Sequence, residues 1–336
     1  MNSKNILTRT YSSASSLQYG VNILKKHEEA CLNRLLKQMT QDKVAQYKRD
    51  GYAVLQEVFD KETITAVKNR MGEIVNEIDL SSENATKIAV FSTENSNKQL
   101  REDYFLDSAW KIKPFFESDA IGPEGKLQVD QTVAFNKMGH NMHDLDPIFR
   151  QFSYSIIMRN ILFKAMHFVN PLVVQSMYIF KNARIGGVVE PHKDDSYLIT
   201  EPRSCQGIWV GFDEATKDNG CLWGVPGSHS QPPKHYMKVK ANEKTGIRQT
   251  FMDPEVPSFE YSTEGAVALE TAPGSIVLIN GSFTHFSEKN TSADKQRHAY
   301  TLHIVESAND VKYASTNWIQ RPKDMPFIQV RKDDII

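Results

Sequence analysis

A mainly β fold with helices packed outside it, its core a double-stranded β-helix (jelly-roll, cupin-like), is what this sequence predicts. Two observations carry the expectation. Short strands crowd the chain from Val173 onward, behind a helical N-terminal stretch. His192 and Asp194 stand two apart in an extended segment, and a strand-ending histidine, His285, lies far downstream. The first is the pattern of an antiparallel sandwich or barrel; the second is the pattern of a metal site shared by neighbouring strands.

Taken in order, the first residues differ from the rest. No Asp or Glu occurs between Met1 and His27, while Lys4, Arg9, Lys25 and Lys26 are basic. Leu17, Val21 and Leu24 fall on one helical face. That is the composition of a mitochondrial transit segment, with Arg9 to Ser13 resembling a matrix-processing site, and equally that of a tail with a chance charge bias. Residues 1–40 are therefore expected to be an extension and residues 41–336 the domain. The location expected is the mitochondrial matrix if the extension is a transit segment, and the cytoplasm otherwise.

Helical periodicity covers roughly 28–79, with a turn at Asp50-Gly51 and a strand over 52–59. Asp60 is placed to cap a helix whose apolar stripe is Val67, Met71, Ile74 and Ile78. Residues 81–101 are polar and read as loop. Strands are expected at 173–181, 207–212, 266–270, 275–280 and 299–305, each rich in Val, Ile, Tyr or Phe and bounded by Gly, Pro and Asn. The polar stretch at about 230–262 interrupts them as an insertion over one end of the barrel.

Composition excludes several classes. A net charge of −1 over 336 residues argues against a nucleic-acid binder. Cys31, Cys205 and Cys221 are odd in number and widely spaced, which fits neither a zinc ribbon nor a disulfide framework. No apolar run reaches membrane-spanning length. A monomer handling a small molecule is expected.

The chemistry is carried by Val189-Glu-Pro-His192-Lys-Asp194. Residues two apart on an extended segment face the same way, so His192 and Asp194 converge while Asp195 points off. With His285 they make the two-histidine, one-carboxylate triad that leaves Fe(II) positions open. Arg297 follows, just before the last predicted strand. A guanidinium there suits the far carboxylate of 2-oxoglutarate, whose keto-acid end chelates iron. Arg297 is preferred over Lys295 for its place beside that strand.

On these residues, and on Val174-Gln-Ser-Met-Tyr-Ile-Phe-Lys181, Asn219-Gly-Cys-Leu-Trp-Gly-Val-Pro-Gly-Ser-His229 and Ala299-Tyr-Thr-Leu-His303, the chain resembles the phytanoyl-CoA dioxygenase family from about Gln41 to Trp318. The resemblance implies an oxygenase using Fe(II), 2-oxoglutarate and O2, with His192, Asp194 and His285 as iron ligands and Arg297 on the co-substrate. It further implies Ser287 as a supporting hydroxyl, Lys137 as a co-substrate contact, and Met177 and Trp209 as pocket lining.

Two rivals stand beside the oxygenase: a 2-oxoglutarate-binding sensor with little turnover, and a cupin-like metalloenzyme indifferent to 2-oxoglutarate. His140 and His143 lack a third ligand and read as structural. Lys234, Lys238, Lys240, Lys244 and Arg248 in the insertion read as a solvated basic face in preference to a phosphate grip.

Overall fold

The computed structural model describes residues 14–80, 88–91, 102–122, 126–243, 245–254, 261–308, 310–333 and 335. The strands, in chain order, are β1 (Tyr52–Leu55), β2 (Ala89–Phe91), β3 (Ile112–Glu117), β4 (Phe135–His140), β5 (Pro171–Ile179), β6 (Val189–His192), β7 (Thr200–Glu201), β8 (Gln206–Gly211), β9 (Leu222–Gly224), β10 (Tyr236–Ala241), β11 (Arg248–Asp253), β12 (Val267–Leu269), β13 (Ile276–Asn280), β14 (His285–Ser287), β15 (Ala299–Glu306) and β16 (Lys312–Tyr313). Eight form one sheet in the order β1-β13-β8-β15-β5-β4-β3-β2, and four form a second in the order β12-β9-β14-β6. All pairs are antiparallel except β2 with β3.

Alternation along the large sheet decides what each face meets. Tyr178, Tyr300, Leu302, Ile208, Val210, Ile276 and Leu278 point outward into one core with the helices. Their neighbours Trp209, Val277, Ile279 and Ala299 point inward, onto Leu222, Leu269 and Phe283 from the small sheet and its turns. Side chains that lie opposite each other across a strand pair share a face. The inward row Gly139, Met177, Thr301, Trp209 therefore runs across β4, β5, β15 and β8 in register. This is the jelly-roll sandwich expected from the strand pattern, and its interior is where the site lies.

The outer layer is built from α1 (Ala14–Gln38), α2 (Gln41–Asp50), α3 (Lys61–Asn76), α4 (Glu102–Asp107), α5 (Met142–Leu145), α6 (Pro147–Ser153) and α7 (Ile156–Asn160). Local chemistry sets their ends. Thr40 caps α2 by accepting from Lys43 N, and Gly51, at φ 83°, closes it in the left-handed region that favours glycine. Asp60 caps α3 as expected, accepting from Thr63 N. Asp146 caps α6 and also accepts from Arg70 Nε of α3 at 2.7 Å, tying the two helices together.

Three expectations need correction. Helix begins at Ala14, upstream of Glu28, and α1 sinks Leu24, Cys31, Leu32 and Leu35 into the core with Val67 and Met71. The face carrying Leu17, Val21 and Leu24 therefore packs on the domain. Strands also start well before Val173, at β2, β3 and β4. The polar stretch 81–101 contains β2 and Ile88, whose apolar run pairs with β3; the rest of it lies outside the described residues. In the insertion, β10 and β11 form a hairpin. No helix among the described residues is long and apolar enough to cross a membrane, and the three cysteines are buried thiols.

Candidate active site

Strand pairing assembles the triad. β6 ends at His192, the chain turns at Lys193 into a short 3-10 segment starting at Asp194, and β14 begins at His285, directly opposite His192. The two imidazole rings lie 4.2 Å apart between centroids. Asp194 Oδ1 is 3.7 Å from His192 Nε2 and 3.8 Å from His285 Nε2. All three donor atoms fall within 4.8 Å of one another.

Hydrogen bonding fixes which nitrogen faces inward. His192 Nδ1 is 2.8 Å from the Glu190 carbonyl and His285 Nδ1 is 3.1 Å from the Phe283 carbonyl. A carbonyl only accepts, so each Nδ1 carries a hydrogen and each Nε2 is the nitrogen left facing the shared space. Burial, then the nearby His285, lowers His192 to about 4, which keeps it neutral. Burial would raise Asp194, but His303, His285 and His192 outweigh it and hold the carboxyl well below its usual range. Two imidazoles whose Nδ1 atoms are taken by backbone carbonyls, and one carboxylate, converge as a fitting donor set for a divalent iron. Asp195 points away, as expected, and accepts from Ser282 Oγ at 2.5 Å.

Arg297 is 1% exposed, a rare state for a cation without a carboxylate partner. Its Nε donates to Gly220 O at 3.0 Å, its guanidinium lies over Trp209 at 5.5 Å, and its Nη1 has no partner. Burial lowers it to about 10, so it stays charged at neutral pH. A buried guanidinium with an open N–H is suited to an anion.

The remaining expected residues fall near this line. Trp209 is buried under Arg297, and Met177 shares its row, half-buried beside Gly139 and Thr301. Lys137 lies two residues before Gly139 on the same face of β4, its ammonium 5.2 Å from the Phe115 ring centre; burial lowers it to about 7. Ser287 is buried on β14, and its Oγ accepts from Lys181 Nζ at 2.8 Å.

Two site residues were not singled out by sequence reasoning. His303 sits inward on β15, with Nε2 3.3 Å from Asp194 Oδ2. Lys181, just past β5, joins Ser287 to the Gly187 carbonyl. The period-2 run Ala299, Thr301, His303 was the available signal for the first; nothing local marks the second.

His143 is held as a structural residue, while His140 has Nδ1 taken by Ser108 Oγ at 2.7 Å and its buried Nε2 without a partner. His143 is fully buried, with Nδ1 taken by Ser176 Oγ and Nε2 by the Val173 carbonyl. The grouping of His27, Asp60 and Glu62 is a helix cap that already faces Arg34.

The family model described as phytanoyl-CoA dioxygenase (PhyH) matches residues 47–299. The phytanoyl-CoA dioxygenase domain-containing protein 1 homolog of Dictyostelium discoideum is 39% identical over 289 residues, covering 86% of this chain and 98% of that protein. Among solved structures, the fold is shared with the epimerase SnoN in complex with Fe3+, alpha ketoglutarate and nogalamycin RO (TM-score 0.57, 13% identity, covering 87% of this chain and 98% of that one). It is shared too with EctD from S. alaskensis with 2-oxoglutarate and 5-hydroxyectoine (TM-score 0.51, 17% identity, 81% and 78%).

Proposed function

Because the chain belongs to the phytanoyl-CoA dioxygenase family, we propose that it is an iron(II)- and 2-oxoglutarate-dependent dioxygenase that hydroxylates a small molecule. One arrangement carries the reading: a convergent His192, Asp194, His285 set shares the sandwich interior with a buried Arg297 whose Nη1 lacks a partner. Bound iron with 2-oxoglutarate and O2 supplies oxidative decarboxylation to succinate and CO2, coupled to oxidation of a C–H bond.

The protein's part is binding and positioning. His192 and His285 offer Nε2 because backbone carbonyls hold their Nδ1 protons. Asp194 supplies the negative charge of the donor set. Arg297 receives the distal carboxylate of the keto acid, with the buried Ser287 hydroxyl of the small sheet in support. Trp209 excludes water beneath that ion pair, which strengthens it. Lys137 and Met177 line the inward face toward the same space.

The substrate is read as something other than a simple coenzyme A ester. The hairpin β10–β11 and the segment just before it hold the candidate phosphate-binding cations, and the described ones within the hairpin meet neighbours of their own.

The test is succinate formation by purified protein given Fe(II), 2-oxoglutarate and a metabolite extract. Turnover that needs both cofactors, rises with a component of the extract and vanishes in His192→Ala and Asp194→Ala supports the reading. Tight 2-oxoglutarate binding with no succinate under any condition would favour the sensor instead.

A further inference from the structure

We propose that Lys181 is the second cation of the co-substrate site, holding Ser287 so that its hydroxyl donates to the distal carboxylate of a dicarboxylic keto acid. The inference rests on the co-substrate reading given above and adds a residue to it.

Three independent contacts place Lys181 there. Its Nζ donates to Ser287 Oγ at 2.8 Å and to the Gly187 carbonyl at 2.7 Å. Its stem crosses Gly220 so closely that a Cβ at that glycine would meet Lys181 Cε at 2.4 Å, and the same Gly220 offers its carbonyl to Arg297 Nε. Its own carbonyl accepts from Arg297 N at 3.1 Å and from Asn290 Nδ2 at 2.9 Å. Lys181 thus touches both flanks of the space that Arg297 faces. It does so at φ 39°, in the left-handed region where a lysine is unusual and where the surrounding bonds must hold it.

Charge gives the arrangement a direction. Lys181 is 2% exposed and Arg297 is 1% exposed. Among the described residues neither has a carboxylate oxygen within ion-pair distance, and Glu117, the buried acid nearby, is itself raised by burial. Burial and the adjacent Arg297 push Lys181 well below the ordinary lysine range. A buried lysine beside a buried guanidinium holds its charge only when an anion joins them, and an anion there would restore it. A dicarboxylate satisfies both. Hydrogen-bond polarity adds the third contact: because the lysine donates to Ser287 Oγ, the serine's own hydrogen must point elsewhere, and Ser287 serves as a donor to the anion.

The experiment compares two keto acids by calorimetry on anaerobic, Fe(II)-loaded protein: 2-oxoglutarate, and 2-oxopentanoate, which has the same keto-acid head and no distal carboxylate. Lys181→Met should weaken 2-oxoglutarate on the order of tenfold or more while leaving 2-oxopentanoate and Fe(II) affinity unchanged. Lys181→Gln, which keeps a donor for Ser287 without the charge, should fall between and serves if Lys181→Met does not fold. Combined with Ser287→Ala, the two losses should be less than additive. Equal weakening of both keto acids, or no weakening of either, overturns the proposal and leaves Lys181 a structural tie. Arg297→Leu separates the two levels of argument. If it discriminates between the ligands and Lys181→Met does not, only this inference falls. If wild-type protein does not prefer the dicarboxylate, the co-substrate reading falls and takes the inference with it.

Discussion

His303 Nε2 lies 3.3 Å from Asp194 Oδ2, while Asp194 Oδ1 is the oxygen that faces His192 and His285. A histidine from the large sheet therefore faces the far oxygen of the carboxylate within ion-pair distance, while the near oxygen faces the two imidazoles. Gly207 permits this approach, since a Cβ there would come within 3.3 Å of Oδ2. His303→Leu should loosen the carboxylate and weaken Fe(II) binding by about 10–100-fold, the usual range for losing a partner that orients a metal ligand. An iron titration against a competing chelator checks it. Unchanged affinity would mean that Asp194 is held by its backbone turn alone.

Arg297→Leu is expected to separate co-substrate from metal. Removing one member of a buried charge pair costs on the order of 2–5 kcal/mol, here read as lost 2-oxoglutarate affinity. Fe(II) affinity should stay near wild type, because Arg297 touches Gly220 and Trp209 and no triad residue. Parallel titrations of metal and keto acid decide it; a matching loss of both would make the residue architectural.

Much of this site was legible because its parts obey simple periodicities. His192 and Asp194 keep the two-residue repeat because Lys193 between them is extended, although β6 ends at His192, and Arg297 stands just before the apolar run that becomes β15. His285, expected to close the strand over 275–280, instead opens a strand of its own, β14. Asp60 announced its helix through its capping chemistry. What stayed hidden had no such rule. Phe135–His140 is buried at every position, so it lacks the polar alternation that marks a half-exposed strand, and Ile112–Glu117 is interrupted by Pro114. Helix α1 carries a bias toward basic residues that mimics a targeting segment, though its apolar face meets the core. Lys181 reads as an ordinary strand end, and its role follows only from long-range contacts with Ser287 and Gly220.

Acid should release one identifiable part of the helical layer. Burial raises Asp60, but its hydrogen bonds from the Thr63 backbone and side chain and from His27 outweigh this and bring it to about 2, below the ordinary 3.8. A depressed folded value means the stabilisation is fully present above 3.8 and is lost as pH falls through about 2. Asp60→Ala should thus cost about 1 kcal/mol at neutral pH, the usual worth of a cap, and progressively less in strong acid. Thermal melts of both proteins across that range measure the gap, and a gap independent of pH would remove the charge from the account.

Helix α1 sets a limit on N-terminal processing. Leu24, Cys31, Leu32 and Leu35 are buried against α3 and its neighbours, and burying such a side chain is worth about 1.5–3 kcal/mol. Cleavage upstream of Ala14 spares them all, which is compatible with a processing site at Tyr11–Ser12. A chain beginning at Gln41 should lose several kcal/mol and melt far lower than one beginning at Ala14. Equal melting temperatures for the two would make α1 dispensable, and terminal sequencing of the native protein would then have to locate the cut.

The last prediction concerns what the hairpin does not grip. A coenzyme A ester needs cations free to meet its phosphates, and the described cations of β10–β11 are mostly engaged. Lys238 is paired with Asp253, Lys240 lies 5.1 Å over Phe251, and Arg248 lies 5.6 Å over Trp110 with Asp107 4.0 Å away. Lys234 is exposed, and Lys244 lies outside the described residues. Lys193, beneath the hairpin, donates to the carbonyls of Ser228 and Gln231, both at 2.7 Å, and so serves as a tie for that loop. Exposed pairs of this kind contribute little to stability, roughly 0–1 kcal/mol each, so Lys234→Ala, Lys238→Ala and Lys240→Ala can be combined without unfolding the domain. The triple variant should consume 2-oxoglutarate at the wild-type rate, and phytanoyl-CoA should raise succinate formation in neither protein. The opposite outcome is equally readable. Stoichiometric hydroxylation of an acyl-CoA by the wild type, lost in the triple variant, would require the lysines to leave their neighbours for phosphate and would make the hairpin a substrate clamp.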